Sequence, residues 1–197
     1  MIWQTNGGSF ETEFHLSGDV KTWDEFSPAL YHLSAKMDNG AEKTMTFGFR
    51  DLSTRGTQFT VNGRAIFFRG TLECCVFPKS AHPPTDVASW NRLLRTAKSY
   101  GLNLIRFHSY CPPEAAFAAA DQLGMYLQVE TCWANLPVTV GDGKPVDQWI
   151  YRETDRILAG YGNHPSFMLM AYGNEPGGKN LKTWLGRKES ASYYTAR

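Results

Sequence analysis

Residues 102–130 read LNLIRFHSYCPPEAAFAAADQLGMYLQVE, and the pattern changes twice along this stretch. Leu102 to Phe107 is a short apolar run. Pro113 stands near the first helical position, Glu114 sits in the first turn, and Phe117 and Leu123 anchor a segment that Gly124 stops. Met125 to Val129 is apolar again. A strand, a helix and a second strand with short connections make a βαβ unit, which places both strands parallel in one sheet.

The same unit extends to both sides. Upstream, Ile66 to Leu72 reads as a buried strand. Residues 86–100 carry Val87, Trp90, Leu94 and Ala97 on one helical stripe, with Asp86 suited to cap the start and Gly101 placed as a C′ glycine. Downstream, Asp147 opens a third helix through Ile150, Thr154, Ile157, Leu158 and Tyr161, and Phe167 to Gly173 is a fourth strand. Four short strands separated by helices predict an α/β chain with a parallel sheet. A doubly wound sheet and half of a (β/α)8 barrel both satisfy this pattern. No Gly-x-Gly-x-x-Gly or Walker loop follows any strand, which argues against a nucleotide-binding module.

The first 58 residues read as β-structure. Ser9 to Leu16 alternates, as does Tyr31 to Met37, and Met45, Phe47 and Phe49 form a third set. Gly18-Asp19, Ser27-Pro28 and Asp38-Asn39-Gly40 supply the turns. The expected division is therefore residues 1–58 as the end of a β-sandwich and residues 59–197 as the α/β part, with Phe59 to Arg64 a hairpin between them.

The 197 residues carry 20 basic and 19 acidic side chains, well mixed, so the basic face that nucleic-acid binding needs is missing. The longest apolar run, Phe167 to Tyr172, is far short of the ~20 residues of a membrane helix. Met1 leads directly into Trp3, Asn6, Gly7 and Gly8 without a signal-peptide pattern. Cys74, Cys75, Cys111 and Cys132 fit no zinc spacing, and buried free thiols are the simplest reading, with one disulfide left open in an exported parent. No metal or cofactor is called for.

Polar residues gather past each strand: Glu73 after the first, Arg106 and His108 at the second, Glu130 after the third, and Asn174-Glu175 after the fourth. In α/β folds these strand ends form the active face, and in a barrel they converge on one mouth. A glycosidase needs a carboxylic acid to protonate the leaving oxygen and a second carboxylate to attack the anomeric carbon or activate water. Glu175, directly after a buried strand, suits the first role, because partial burial would keep it protonated. The alternatives are plain: a solvated or capping carboxylate for Glu175, a structural ion pair for Arg106, a core histidine for His108 and a buried loop anchor for Trp133, which could also floor a sugar subsite.

Phe59-Thr-Val-Asn-Gly-Arg-Ala-Ile-Phe-Phe-Arg-Gly, Asn103-Leu-Ile-Arg, Asp121-Gln-Leu-Gly-Met-Tyr-Leu, Gly162-Asn-His-Pro-Ser and Gly173-Asn-Glu, in this order and spacing, resemble glycoside hydrolase family 2, the β-galactosidases, β-glucuronidases and β-mannosidases. Trp23 to Leu33 resembles the immunoglobulin-like domain that precedes the family's barrel. The resemblance covers most of the chain but only the middle of a family member. It implies the first half of a catalytic TIM barrel, a carbohydrate substrate and retaining hydrolysis, with a β-galactoside favoured. It makes Glu175 the general acid/base and Asn174 the contact to the sugar 2-hydroxyl. It puts the nucleophilic glutamate at a seventh strand that this sequence does not reach. Arg106, His108, Glu130, Trp133 and Glu73 are then the remaining candidate substrate contacts. Three departures bear on sugar recognition: Leu72-Glu73-Cys74 where Asn and His often stand, Arg106-Phe-His108-Ser109 for Arg-x-Ser-His, and Val129-Glu130 for Asp-Glu. A carbohydrate-binding or inactive relative is the second reading. A periplasmic or secreted parent is the expectation, and homo-oligomerisation of the full-length protein stays open.

Retaining chemistry takes two carboxyl groups about 5–5.5 Å apart. The 197 residues by themselves are therefore expected to release no nitrophenol from any aryl β-glycoside, and protein-dependent release by the pure chain would contradict that.

Overall fold

A computed structural model of the chain describes residues 2–4, 7–9, 11–16, 18–131 and 143–174. β1 (Ile2–Gln4) and β2 (Gly7–Ser9) form a short antiparallel ladder. The hairpin β3 (Tyr31–Lys36) and β4 (Glu42–Phe47) follows, and then an antiparallel sheet of β5 (Leu52–Arg55), β6 (Gln58–Val61) and β7 (Arg64–Ala65). This last sheet runs across the expected division between residues 58 and 59. From there strands and helices alternate: β8 (Gly70–Glu73), α1 (Val87–Ser99), β9 (Leu104–Phe107), α2 (Glu114–Leu123), β10 (Tyr126–Glu130), α3 (Pro145–Tyr161) and β11 (Phe167–Ala171). The last four strands make one parallel sheet whose spatial order is the order of the sequence. A doubly wound sheet reverses direction at a switch point, whereas this one advances one strand at a time.

Strand alternation divides the core in two. Ile105, Phe107, Leu127 and Val129 face the helices and pack with Trp90, Leu94 and Ala97 of α1 and with Ala115, Ala116, Phe117, Ala119 and Ala120 of α2. Leu104, Tyr126 and Met168 face the other side, where Trp23 and Val61 cover them. Four alanines on α2 leave room for the helix to lie close to its neighbours. Asp86 caps α1 by accepting the Ser89 N–H at 2.8 Å, and Gly124 ends α2 in the left-handed region with φ 66°. The Asn62-Gly63 turn between β6 and β7 has φ of 52° and 75°, which suits a two-residue hairpin loop.

The segment before the α/β part is tied to the start of the parallel sheet. Trp23 is fully buried, donates its indole N–H to the Asp121 carbonyl at 2.8 Å, and meets the Tyr126 ring edge-on. The Lys98 ammonium reaches the carbonyls of Glu25 (2.9 Å) and Leu123 (2.6 Å), placing a cation at the C-terminus of α2. Arg50 donates to the carbonyls of Pro165 and Phe167 at the entry to β11. Asp24 pairs with Arg64, and Glu25 with Arg69 at 3.1 Å.

The structure corrects four expectations. Residues 11–16 form no strand, and Phe14 is 79% exposed, because no neighbouring strand among the described residues pairs with them. The first strand of the parallel sheet starts at Gly70 instead of Ile66 and is not buried. Asn103 takes the place of a strand neighbour, its Oδ1 accepting the Arg69 N–H and its amide donating to the Phe67 carbonyl, and Leu72 on this edge strand is 49% exposed. Cys74 and Cys75 are free and exposed, since they follow an edge strand directly; Cys111 is free and half-buried, and Cys132 lies outside the described residues. Finally, α3 begins at Pro145, two residues before Asp147, because proline's fixed φ suits the first helical position and Asp147 reaches back to accept the Gly143 N–H at 2.9 Å.

Gly124 and Gly101 (φ 77°) share a left-handed backbone but differ in surroundings. A Cβ at Gly124 would stand 2.8 Å from the Glu25 carbonyl oxygen and 2.9 Å from that of Asp24, whereas one at Gly101 meets nothing within 4 Å. Gly101→Ala should cost only the left-handed penalty of about 1–2 kcal/mol. Gly124→Ala should cost clearly more and lower the urea midpoint further, because the docked segment must move. Equal midpoints would show that the Asp24–Glu25 contact contributes nothing.

Candidate active site

Arg106 stands third in β9, on the face opposite Ile105 and Phe107. Its register partners are Leu72 on β8 and Gln128 on β10. Glu130 is two residues past Gln128, hence on the same face at the strand end. Asn174 lies three residues beyond β11. Three consecutive strand ends thus bring these side chains together. Arg106 Nε and Nη2 donate to Glu130 Oε1 at 2.9 and 2.6 Å, and Nη2 also donates to Asn174 Oδ1 at 2.7 Å. Glu130 Oε2 accepts the backbone N–H of Ser109 at 2.8 Å. Ser109 is held at φ 68°, and its hydroxyl lies 2.8 Å from His108 Nδ1. For a non-glycine residue that backbone is strained, and such strain gathers where a site over-determines the chain.

Of the residues expected at the strand ends, Arg106, Glu130 and Asn174 are in direct contact, and His108 joins them through Ser109. Glu73 does not. It pairs in register with Phe107, on the helix side of the sheet, and its Oε1 accepts the Val76 N–H at 3.4 Å. Leu72 holds the place beside Arg106 instead. Glu175 and Trp133 lie outside the described residues. One participant was not expected: the part played by Ser109 depends on a backbone angle that composition does not reveal. A separate cleft of about 510 Å³ opens among the helices, lined by Pro112, Pro113, Glu153 and Tyr161. Burial, reinforced by the Glu153 charge, pushes the Cys111 thiol there up to about 12.

Burial holds the Glu73 carboxyl above the usual carboxylate range, partly offset by the backbone N–H groups of Val76 and Cys75. A carboxyl raised in the folded chain contributes stability that is complete below its unfolded value and is lost as pH climbs through the folded one. Glu73→Gln retains an acceptor for Val76 and removes the ionisation. Its stability relative to the unmodified chain should grow between about pH 4 and pH 7 in denaturation experiments. A relative gain that grows toward acid instead would contradict this origin.

No family model matches the chain. A β-galactosidase of Arthrobacter sp. (strain B7) is 29% identical over 178 residues, covering 82% of this chain and 17% of that protein. A putative β-glucuronidase of Formosa agariphila is 26% identical over 163 residues, covering 79% of this chain and 16% of that protein. Among solved structures, the apo form of Bacteroides uniformis β-glucuronidase 3 matches with a TM-score of 0.68 at 25% identity, over 80% of this chain and 20% of that one. A GH2 β-galacturonidase from Eisenbergiella tayi, bound to galacturonate, matches in fold with a TM-score of 0.75 at 22% identity, over 93% of this chain and 33% of that one. The chain spans about one-sixth of the length of these curated relatives. Sequence and fold comparisons thus agree with the motifs read from the residues: the chain is similar to β-galactosidases and β-glucuronidases and to solved structures of glycoside hydrolase family 2.

Proposed function

We propose that residues 59–197 are the first half of a (β/α)8 catalytic barrel, that residues 1–58 close an immunoglobulin-like β-sandwich, and that the whole protein hydrolyses terminal β-glycosidic bonds with retention. The observation that carries this reading is the hydrogen bond from Arg106 to Asn174 at the strand ends, 2.7 Å long, which fixes the residue immediately before Glu175. The one-by-one advance of the parallel strands supports the barrel. In this reading Glu175 is the general acid/base, Asn174 contacts the sugar 2-hydroxyl, and the nucleophile is a glutamate outside this sequence. A β-galactoside is the first substrate to test, since several of the curated relatives bear the name β-galactosidase; a β-glucuronide is the next.

The first experiment is a screen of the complete protein against aryl β-galactoside, β-glucuronide and β-mannoside. Absence of turnover, together with a residue other than glutamate at the seventh strand, would favour a carbohydrate-binding relative. The role of Glu175 has a sharper test. General acid catalysis is worth on the order of 10²–10⁴-fold, and a poor leaving group needs it most. Glu175→Ala should slow cleavage of natural disaccharides by about that factor yet spare the first step with dinitrophenyl glycosides, which then show a burst followed by slow turnover. Azide, a nucleophile that needs no base, should speed the slow phase and give a β-glycosyl azide. Equal losses on both substrates in a well-folded variant would remove Glu175 from the acid/base role.

A further inference from the structure

We infer that Glu130 is a positioning residue that decides which way the Asn174 amide faces, acting through Arg106 and making no contact with the sugar. Its catalytic consequence rests on the glycosidase reading, whereas its geometry does not. Glu130 is 0% exposed, so a bound hydroxyl has no approach to it. Oε1 takes two hydrogen bonds from one guanidinium and Oε2 takes the Ser109 N–H. A carboxylate buried this completely needs such partners, because an unpaired charge in the interior is strongly unfavourable.

Pairing with Glu130 fixes the plane of the guanidinium, and that plane aims Nη2 at Asn174. Arginine has only donors to offer. The asparagine must therefore turn its oxygen toward Arg106, and its NH2 arm is set on the opposite side. Reversing the amide would press two donors together. Glu130 thus fixes the direction of a hydrogen-bond donor beside Glu175 from one residue further back. Its second oxygen does the same for the end of β9: it holds Ser109 at φ 68°, and Ser109 holds the His108 imidazole.

The test is Glu130→Gln in the complete protein. The glutamine keeps the volume, but its NH2 arm opposes the Ser109 N–H and the charge paired with Arg106 is gone. The loss in kcat/KM should be about 10- to 100-fold on the ordinary glycoside, the scale of a lost charge-assisted hydrogen bond. It should be much smaller on the matching 2-deoxyglycoside, which lacks the hydroxyl offered to Asn174. Glu130→Gln combined with Asn174→Ala should be little worse than Asn174→Ala alone. Equal losses on both glycosides, or additive effects, would overturn the inference. Should Glu130→Gln fail to fold, Arg106→Lys keeps the charge but loses the planar fork, and it should show the same hydroxyl-selective loss; an indifferent pattern there counts against the inference equally. A crystal structure of Glu130→Gln gives an answer without any activity. A shifted Arg106–Asn174 contact supports the inference, and an unchanged one overturns it, even if the unmodified protein cleaves no glycoside and the glycosidase reading itself has failed.

Discussion

A carboxylate removed from water must find a partner for each oxygen, and Glu130 meets that demand from the end of the neighbouring strand β9. Arg106 comes from β9, Ser109 from the turn after it, and Asn174 joins from beyond β11 through the same guanidinium. Two features of the structure accompany this arrangement. The left-handed backbone at Ser109 persists because its N–H has a charged acceptor to reach. The bulge between Leu127 and Gln128 shifts the β10–β11 register just before the site, and bulges are a common way of re-aiming side chains near active sites. Buried ion pairs seldom add much net stability, so this one is better understood as fixing orientation than as holding the fold together.

Much of this arrangement was legible in the residues. The caps at Asp86 and Gly124 lie where composition put them, and Trp90, Leu94 and Ala97 of the α1 stripe are buried; on α2 Phe117 is buried but Leu123 only partly, and alanines make up most of the buried face. Arg106, Glu130 and Asn174 were recognisable because polar residues at the ends of apolar strands stand out. The failures have physical causes of their own. The run from Ile66 to Leu72 is apolar enough to be a buried strand, but Ile66 still bonds to Phe59, the Asn103 side chain takes the Phe67 carbonyl and the Arg69 N–H, and the parallel ladder begins at Gly70. Glu73 follows an apolar run just as Glu130 does, yet inter-strand register sends it to the helix side, and register is not a local property. Ser109 carries no distinguishing chemistry until its φ is known.

The α/β part is equally dependent on what precedes it. Trp23 fills the space under Tyr126, Arg50 and Lys98 satisfy carbonyls at the entry to β11 and the end of α2, and the Asp24-Glu25 backbone lies against Gly124. These contacts close the end of the sheet opposite the Arg106 cluster, so one end is sealed by main-chain carbonyls and borrowed cations while the other presents ionisable groups.

Trp23 and the Asp121 carbonyl that receives its indole N–H are 98 residues apart in the chain. A ribosome adding roughly 5–20 residues per second makes the tryptophan on the order of 5–20 seconds before its acceptor exists. During that interval the indole, together with the Asp24 and Glu25 backbone, has no helix end to rest on. Each βα unit that emerges afterwards finds its lower surface already synthesised. Vectorial synthesis therefore turns a packing contact into an order of assembly, in which the plug waits for the strands it will close.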